Sequence, residues 1–284
     1  MKRQLLIGLL LTMVLVTISA GGKAEHEIYP LQDGTSITIS SDVPQVIIRK
    51  HTRENHVVIE LDAIQKDYRL SVHKSRKEIV IEVEKRKRHA LTSLTIKQPR
   101  LIITLPEDPQ LDEFAIVSVS GAIESDIDII ADHISIDSVS GAITFANLYG
   151  ETAVELNTVS GAVSGNTISA ENISINTISG KIALNTIDAS EGTFQVVSVS
   201  GSCSTKQLSA KAARLQSISG SLTIALASSF SGTIEAATLS GATYIELPHA
   251  QVIKTQEESQ QLQIGSGKQQ LSLATTSGTI RITQ

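Results

Sequence analysis

Apolar residues return at fixed intervals along the second half of this chain, inside a short phrase: Ser or Thr, apolar, Ser, Gly, any residue, apolar. Eight copies begin at Ser118, Ser138, Thr158, Thr177, Ser198, Ser217, Thr238 and Thr275, with Thr replacing the apolar residue at Thr243 and Thr276. The central serines of the first seven copies are separated by 20, 20, 19, 21, 19 and 21 residues. A period this constant is the mark of a stacked repeat. Counting from the central Ser as position 0, the apolar residues fall at −6 (Phe114, Ile134, Val154), −4 (Ile116, Ile136, Leu156), −1 (Val119, Val139, Val159) and +3 (Ile123, Ile143, Val163), and the later copies repeat this.

Positions −6 and −4 share one face of a strand, because successive side chains alternate. Positions −1 and +3 also share a face, but with shifted parity. With all four rows facing inward, the odd step means a bend or bulge at −3 and −2. The Gly at +1 marks a second special point, needing either a positive φ or a close backbone approach. No stretch of ten or more residues after residue 25 carries a helical period, so no crossover helix is available. The predicted fold is therefore all-β: a single-chain parallel β-solenoid, or β-helix, with rungs of about 20 residues stacked about 4.8 Å apart.

Residues 25–110 share the strand character without the Ser-Gly phrase, in alternating runs at Ser36–Ile39, Val46–Arg49, Val57–Leu61, Leu70–His73, Ile79–Val83 and Leu101–Leu105. They read as an irregular cap on the regular array of residues 111–284, in one elongated domain. The period breaks between Gly241 and Gly278, and the irregular stretch at 248–270 leaves room for a degenerate rung or a protruding loop. The basic run Lys85-Arg86-Lys87-Arg88-His89 reads as a solvated loop tip, with contact to an anionic polymer as the alternative.

Residues 1–24 read as a signal peptide. Lys2 and Arg3 precede an apolar run from Leu5 to Ile18, followed by small residues, with cleavage after Ala20 or Ala24. The mature chain is then exported, to the periplasm, cell surface or medium, and keeps no stable transmembrane segment after processing. A net charge of −5 does not favour nucleic acid, and the absence of Trp leaves few aromatic platforms for sugars. Cys203, the only cysteine, occupies a +3 position and reads as a buried small hydrophobe rather than a reactive thiol.

Candidate chemistry is sparse. Glu124, Asp126 and Asp128 alternate with Ser125, Ile127 and Ile129, with Asp132 beyond, which suits a solvated polar face better than a weak cation site. The seven histidines (His26, His51, His56, His73, His89, His133, His249) show no paired metal-ligand spacing, and no Gly-x-Ser-x-Gly elbow with identifiable partners is present. No catalytic, cofactor-binding or metal residue is assigned, and no cofactor is expected. The Ser and Thr at −2 and 0, if both point outward, would make two hydroxyl files on a flat face, a geometry that could order water and bind ice.

The chain resembles the DUF4097 family of bacterial proteins regarded as adhesins. The resemblance rests on Leu101–Pro106 leading into the first Ser-Val-Ser-Gly, on the repeats from Ser118 to Thr243, and on the ending Gly265-Ser-Gly followed by Thr275-Thr-Ser-Gly-Thr-Ile-Arg-Ile282. Family phrases often carry Asp after Ser-Gly, where this chain mostly has Ala or Ser. The resemblance implies an exported β-solenoid with a role in adhesion or envelope response and offers no catalytic residue to transfer. The expected function is that of a non-enzymatic envelope module that binds or scaffolds, its partner an unidentified protein or polysaccharide of the envelope or extracellular surface. The alternatives are a carbohydrate-active β-helix enzyme, of lyase or hydrolase type, and an ice-binding solenoid.

Overall fold

The structure, a computed structural model, describes residues 25–50, 55–63, 67–86, 98–248, 250–256 and 258–284. The proposed signal peptide, most of the basic run (Lys87 to His89), His51 and His249 lie outside them. The described residues form 21 strands joined in one hydrogen-bonded sheet, with no helix among them. The first seven strands are β1 (Glu25–Pro30), β2 (Thr35–Ser41), β3 (Gln45–Lys50), β4 (His56–Asp62), β5 (Tyr68–Lys74), β6 (Glu78–Lys85) and β7 (Arg100–Leu105). The regular array follows as β8 (Gln110–Ser118), β9 (Ala122–Ser138), β10 (Ile143–Thr158), β11 (Val163–Ser169), β12 (Asn172–Thr177), β13 (Ile182–Ser198) and β14 (Cys203–Ser217). Closing the chain are β15 (Leu222–Leu226), β16 (Gly232–Thr238), β17 (Thr243–Glu246), β18 (Gln251–Thr255), β19 (Ser259–Ile264), β20 (Gln269–Thr275) and β21 (Ile280–Thr283).

The central strands stack in parallel, each residue over its equivalent one rung away: Ile143 pairs with Ile123 and Val163, Leu156 with Ile136 and Ile175. Like lies on like, so the repeat itself sets the register. The interior is filled by the −6, −4 and +3 rows as expected: Phe114, Ile134, Val154, Ile175, Val196 and Ile182 are all buried. Cys203 takes its place in the +3 row, and burial pushes its thiol pKa up to about 12.

Two features of the rung differ from the sequence reading. The odd step is not at −3 and −2. Inward alternation runs unbroken through −6, −4 and −2, and the chain bends at −1 and 0. A further irregularity follows the +5 position, at Phe145/Asn147 in β10, and brings a second interior set inward: Leu148, Ile168, Ile187 and Leu208 at +8, with Ala170, Ala189 and Ala210 at +10. That second odd step makes each rung a closed, many-sided turn rather than two facing strands.

Both ends are threaded out of order. At the start, β2 and β3 form a rung that pairs with β8 and β9 on one side and with β6 and β7 on the other. The chain thus moves outward to β6 and β7 before returning inside. The antiparallel strands β5 and β4 then cover the sides of β6 and β7, with β1 beyond β4. At the far end, β16 and β17 form the outermost rung. The chain leaves through the antiparallel pair β18 and β19 and returns as β20 and β21, which insert between β14/β15 and β16/β17. The stretch after Gly241 therefore holds a protruding hairpin and a full rung, and the last Ser-Gly phrase is the next-to-last in space. Antiparallel β19 covers β16 on its outer side, protecting part of the open edge.

Candidate functional site

The corner of the solenoid is built by the Ser-Gly phrase. At −2 the Ser or Thr side chain points inward and is buried in every copy (Ser118, Ser138, Thr158, Thr177, Ser198, Ser217, Thr238, Thr275). In six copies its oxygen accepts the N–H of the Gly three residues later, at 2.8 Å in Thr158–Gly161, Thr177–Gly180, Ser198–Gly201 and Ser217–Gly220. The serines at 118, 138 and 198 donate to the carbonyl of the Gly three residues later. A buried hydroxyl thus satisfies a peptide group that the bend takes out of the ladder. The Gly is required by close approach and not by φ: a Cβ on Gly161 would stand 2.0 Å from the Gly141 carbonyl oxygen, and one on Gly180 1.9 Å from that of Gly161. Positive-φ glycines among the described residues are Gly34 and Gly265, both outside the phrase.

This geometry reverses the expected fate of the −1 row. Val119, Val139, Val159, Ile178, Val199 and Ile218 stand on the outside, with Val119 54% and Ile218 54% exposed. Inward placement had been expected because the residues are apolar, but interiors take their pattern from parity, and with −2 inside the bend turns −1 out. In space the file runs through these six aliphatic residues, then Thr276 of the inserted rung, and ends at Leu239, 62% exposed. Eight residues at about 4.8 Å per step make a file of about 34 Å. In six of the eight copies the hydroxyl of the central Ser donates to the −1 carbonyl of the neighbouring rung, as Ser140 does to Val119 and Ser219 to Val199, both at 3.3 Å.

Between the −1 file and the outward −3 residues lies a shallow groove, in two adjoining stretches of about 370 and 480 Å³ that share Val197 and Val199. The −2 residues form its floor. The −3 wall is mixed: Val117 and Val197 are exposed, while Asn157 donates to Asp137 at 2.7 Å and Asn176 to Asn157 at 2.9 Å. A second amide ladder, Asn185 to Asn166 to Asn147 to Asp128, runs on another side of the stack.

The other sequence candidates stay apart. Glu124, Asp126 and Asp132 are exposed, and two of the four carboxylates are engaged with neighbours, Glu124 with Gln45 and Asp128 with Asn147. Among the described residues no three His, Cys, Asp or Glu come together as a metal site. The two outward hydroxyl files imagined for ice binding do not exist, because the −2 hydroxyls are inside and bonded. Lys85 and Arg86 are exposed at the end of β6. Among the described residues no helix is long and apolar enough to cross a membrane.

A family model described as Toastrack DUF4097 matches residues 35–283. No curated protein matches. Among solved structures, the chain is similar to a "putative lipid binding protein" of Parabacteroides distasonis, at 16% identity over 93% of this chain and 98% of that one, TM-score 0.46. It is similar also to a "putative adhesin" of Bacteroides fragilis, at 13% identity over 94% and 100%, TM-score 0.45. A third is a "putative cell adhesion protein" of Clostridium sporogenes, at 14% identity over 92% and 100%, TM-score 0.26.

Proposed function

Given that the chain belongs to the Toastrack DUF4097 family, we propose that it acts as an exported, non-enzymatic binding module of the bacterial cell envelope, with the corner file as its contact surface. The observation that carries this reading is the unbroken run of exposed β-branched residues from Val119 to Ile218. Scattered surface aliphatics need no explanation, but a contiguous file of them on a soluble face marks a place where another molecule sits. The stacked backbone beneath it holds the file straight and rigid, so little ordering entropy is lost when a partner docks. In this reading residues 1–24 are removed on export, 25–110 close one end of the stack, and 111–284 carry the binding face. The dispersed carboxylates and the deeply buried Cys203 offer no paired acid and base and no accessible nucleophile, which supports binding over catalysis.

The test is retention of the purified mature chain on isolated bacterial envelopes, read by co-sedimentation. The wild type is expected to sediment with the envelopes. The triple variant Val139→Asp, Val159→Asp, Ile178→Asp should lose at least about tenfold in retention, since each change puts a charge where apolar contact is needed. Equal retention of the two proteins would overturn the assignment of the corner file.

A further inference from the structure

The groove beside the corner file has few hydrogen-bonding groups to spare, the Gln216 amide and the Thr276 hydroxyl in its second stretch being the main ones. Its floor hydroxyls are held by the glycine peptides. The backbone of its aliphatic wall is spent along the stack: Val159 N–H donates to the Ser138 carbonyl, Ser160 N–H to that of Val139, and Ile218 N–H to that of Ser198. On the opposite wall the amides of Asn157 and Asn176 are engaged in their ladder with Asp137. From Asn157 to Ile218, across four consecutive rungs, no lining residue is ionisable; Asp137 lies one rung before them inside the first stretch, and Glu258 lines the second. Over those four rungs the complement of this surface is uncharged, straight and poor in hydrogen-bonding groups.

That chemistry sorts the possible occupants. A bound peptide would bring backbone N–H and C=O groups against a surface that can pair few of them, an unfavourable burial. A second copy of the chain would gain too little: two side-chain spacings along a strand give a strip about 7 Å wide and 34 Å long, roughly 240 Å², against about 800 Å² per partner in a stable interface. A polymethylene chain meets every condition. One leaflet's hydrocarbon spans about 15 Å, and the uncharged part of the groove, from the Asn157 rung to the Ile218 rung, covers three steps or about 14 Å.

We infer that the groove binds the acyl chain of a monomeric single-chain lipid, laid along the stack with its head group in water beyond one end. The inference rests on the reading of the corner file as the binding face. Contact covers one side of the chain, so affinity should rise about twofold per methylene, half the exponent of the roughly fourfold that full burial gives.

The experiment is calorimetric titration of the mature chain with decanoyl, dodecanoyl and tetradecanoyl lysophosphatidylcholine, each below its micelle concentration. The expected result is a dissociation constant that falls about twofold per added methylene. Val159→Asp should weaken binding at least about tenfold with the melting temperature unchanged, because Val159 is exposed, and Val159→Ile should restore it. Affinity independent of chain length, or full binding by Val159→Asp, would overturn the inference. So would binding to phosphatidylcholine vesicles without binding to the monomers, which would make the face a membrane contact. A dimer in sedimentation equilibrium that Val159→Asp disperses would assign the face to a second copy. If no lysolipid binds but envelope retention still depends on Val159, the acyl chain is rejected and the binding face stands. If retention is also indifferent to Val159, both fail.

Discussion

Two files run side by side along the corner of this solenoid, and their chemistry is the reverse of what position would suggest. At −2 stands a file of hydroxyls, all buried; at −1, one residue on, stands a file of hydrocarbons, largely exposed. The tightness of the corner imposes this arrangement. The bend leaves a Gly peptide facing inward without a ladder partner, and an inward hydroxyl is the smallest group that can satisfy both its N–H and its C=O. Once that hydroxyl is inside, alternation puts the next residue outside whatever its polarity. Buried polarity is explained by the backbone. The exposed aliphatic file has no such structural debt, which is why the function is sought there.

The comparison can be broken most severely at the glycines. Gly161→Val places a side chain 2.0 Å from the Gly141 carbonyl oxygen. It should cost about 4 kcal/mol or more, or prevent folding, as judged by urea denaturation. A melt like that of a surface variant would show that neighbouring rungs do not approach so closely.

The hydroxyl file comes next. Thr158→Val keeps the volume but leaves the Gly161 N–H buried without its acceptor. A loss of about 1–3 kcal/mol is expected. Its mirror, Val159→Thr, adds a hydroxyl where water already reaches and should change stability by no more than about 0.5 kcal/mol. Equal effects of the two exchanges would mean that the files are not divided between inside and outside.

A smaller, chemical difference separates the interior from the corner. Burial raises the Cys203 thiol pKa to about 12, so between pH 7 and 9 the thiol stays protonated and shielded. Native protein should react with Ellman's reagent at least about a hundredfold more slowly than urea-unfolded protein, across that whole range. Rapid native labelling would take Cys203 out of the +3 row.

Much of the fold was legible in the repeat. The spacing of the Ser-Gly phrase gave the rung, and the −6, −4 and +3 rows gave half of the interior, because each is apolar in nearly every copy. The six runs before residue 110 correspond to β2 through β7. The +8 and +10 rows were not legible: the irregularity after Phe145 shifts their parity, and the small residues Ala170, Ala189 and Ala210 carry little hydrophobic signal. The insertion of β20 and β21 could not be read, since a Ser-Gly phrase fits any slot in the stack equally well. The corner file was misread for a physical reason. Apolar character at −1 predicts an interior row, yet hydrophobicity predicts burial in one direction only, and an exposed aliphatic row looks the same in sequence as a buried one. The candidate site was hidden by that same assumption, and the carboxylates that drew attention, Glu124 to Asp132, remain dispersed on the surface.

The most direct test of the account places a reporter in each file. Val159→Cys and Thr158→Cys would be made separately, with shielded Cys203 as a silent background, and the native proteins reacted with Ellman's reagent. The account predicts rapid labelling at 159, comparable to a free thiol, and labelling at 158 slower by at least about a hundredfold. Protection at 159 with rapid reaction at 158 would contradict it, placing the hydrocarbon file inside and removing the surface on which the proposed function depends.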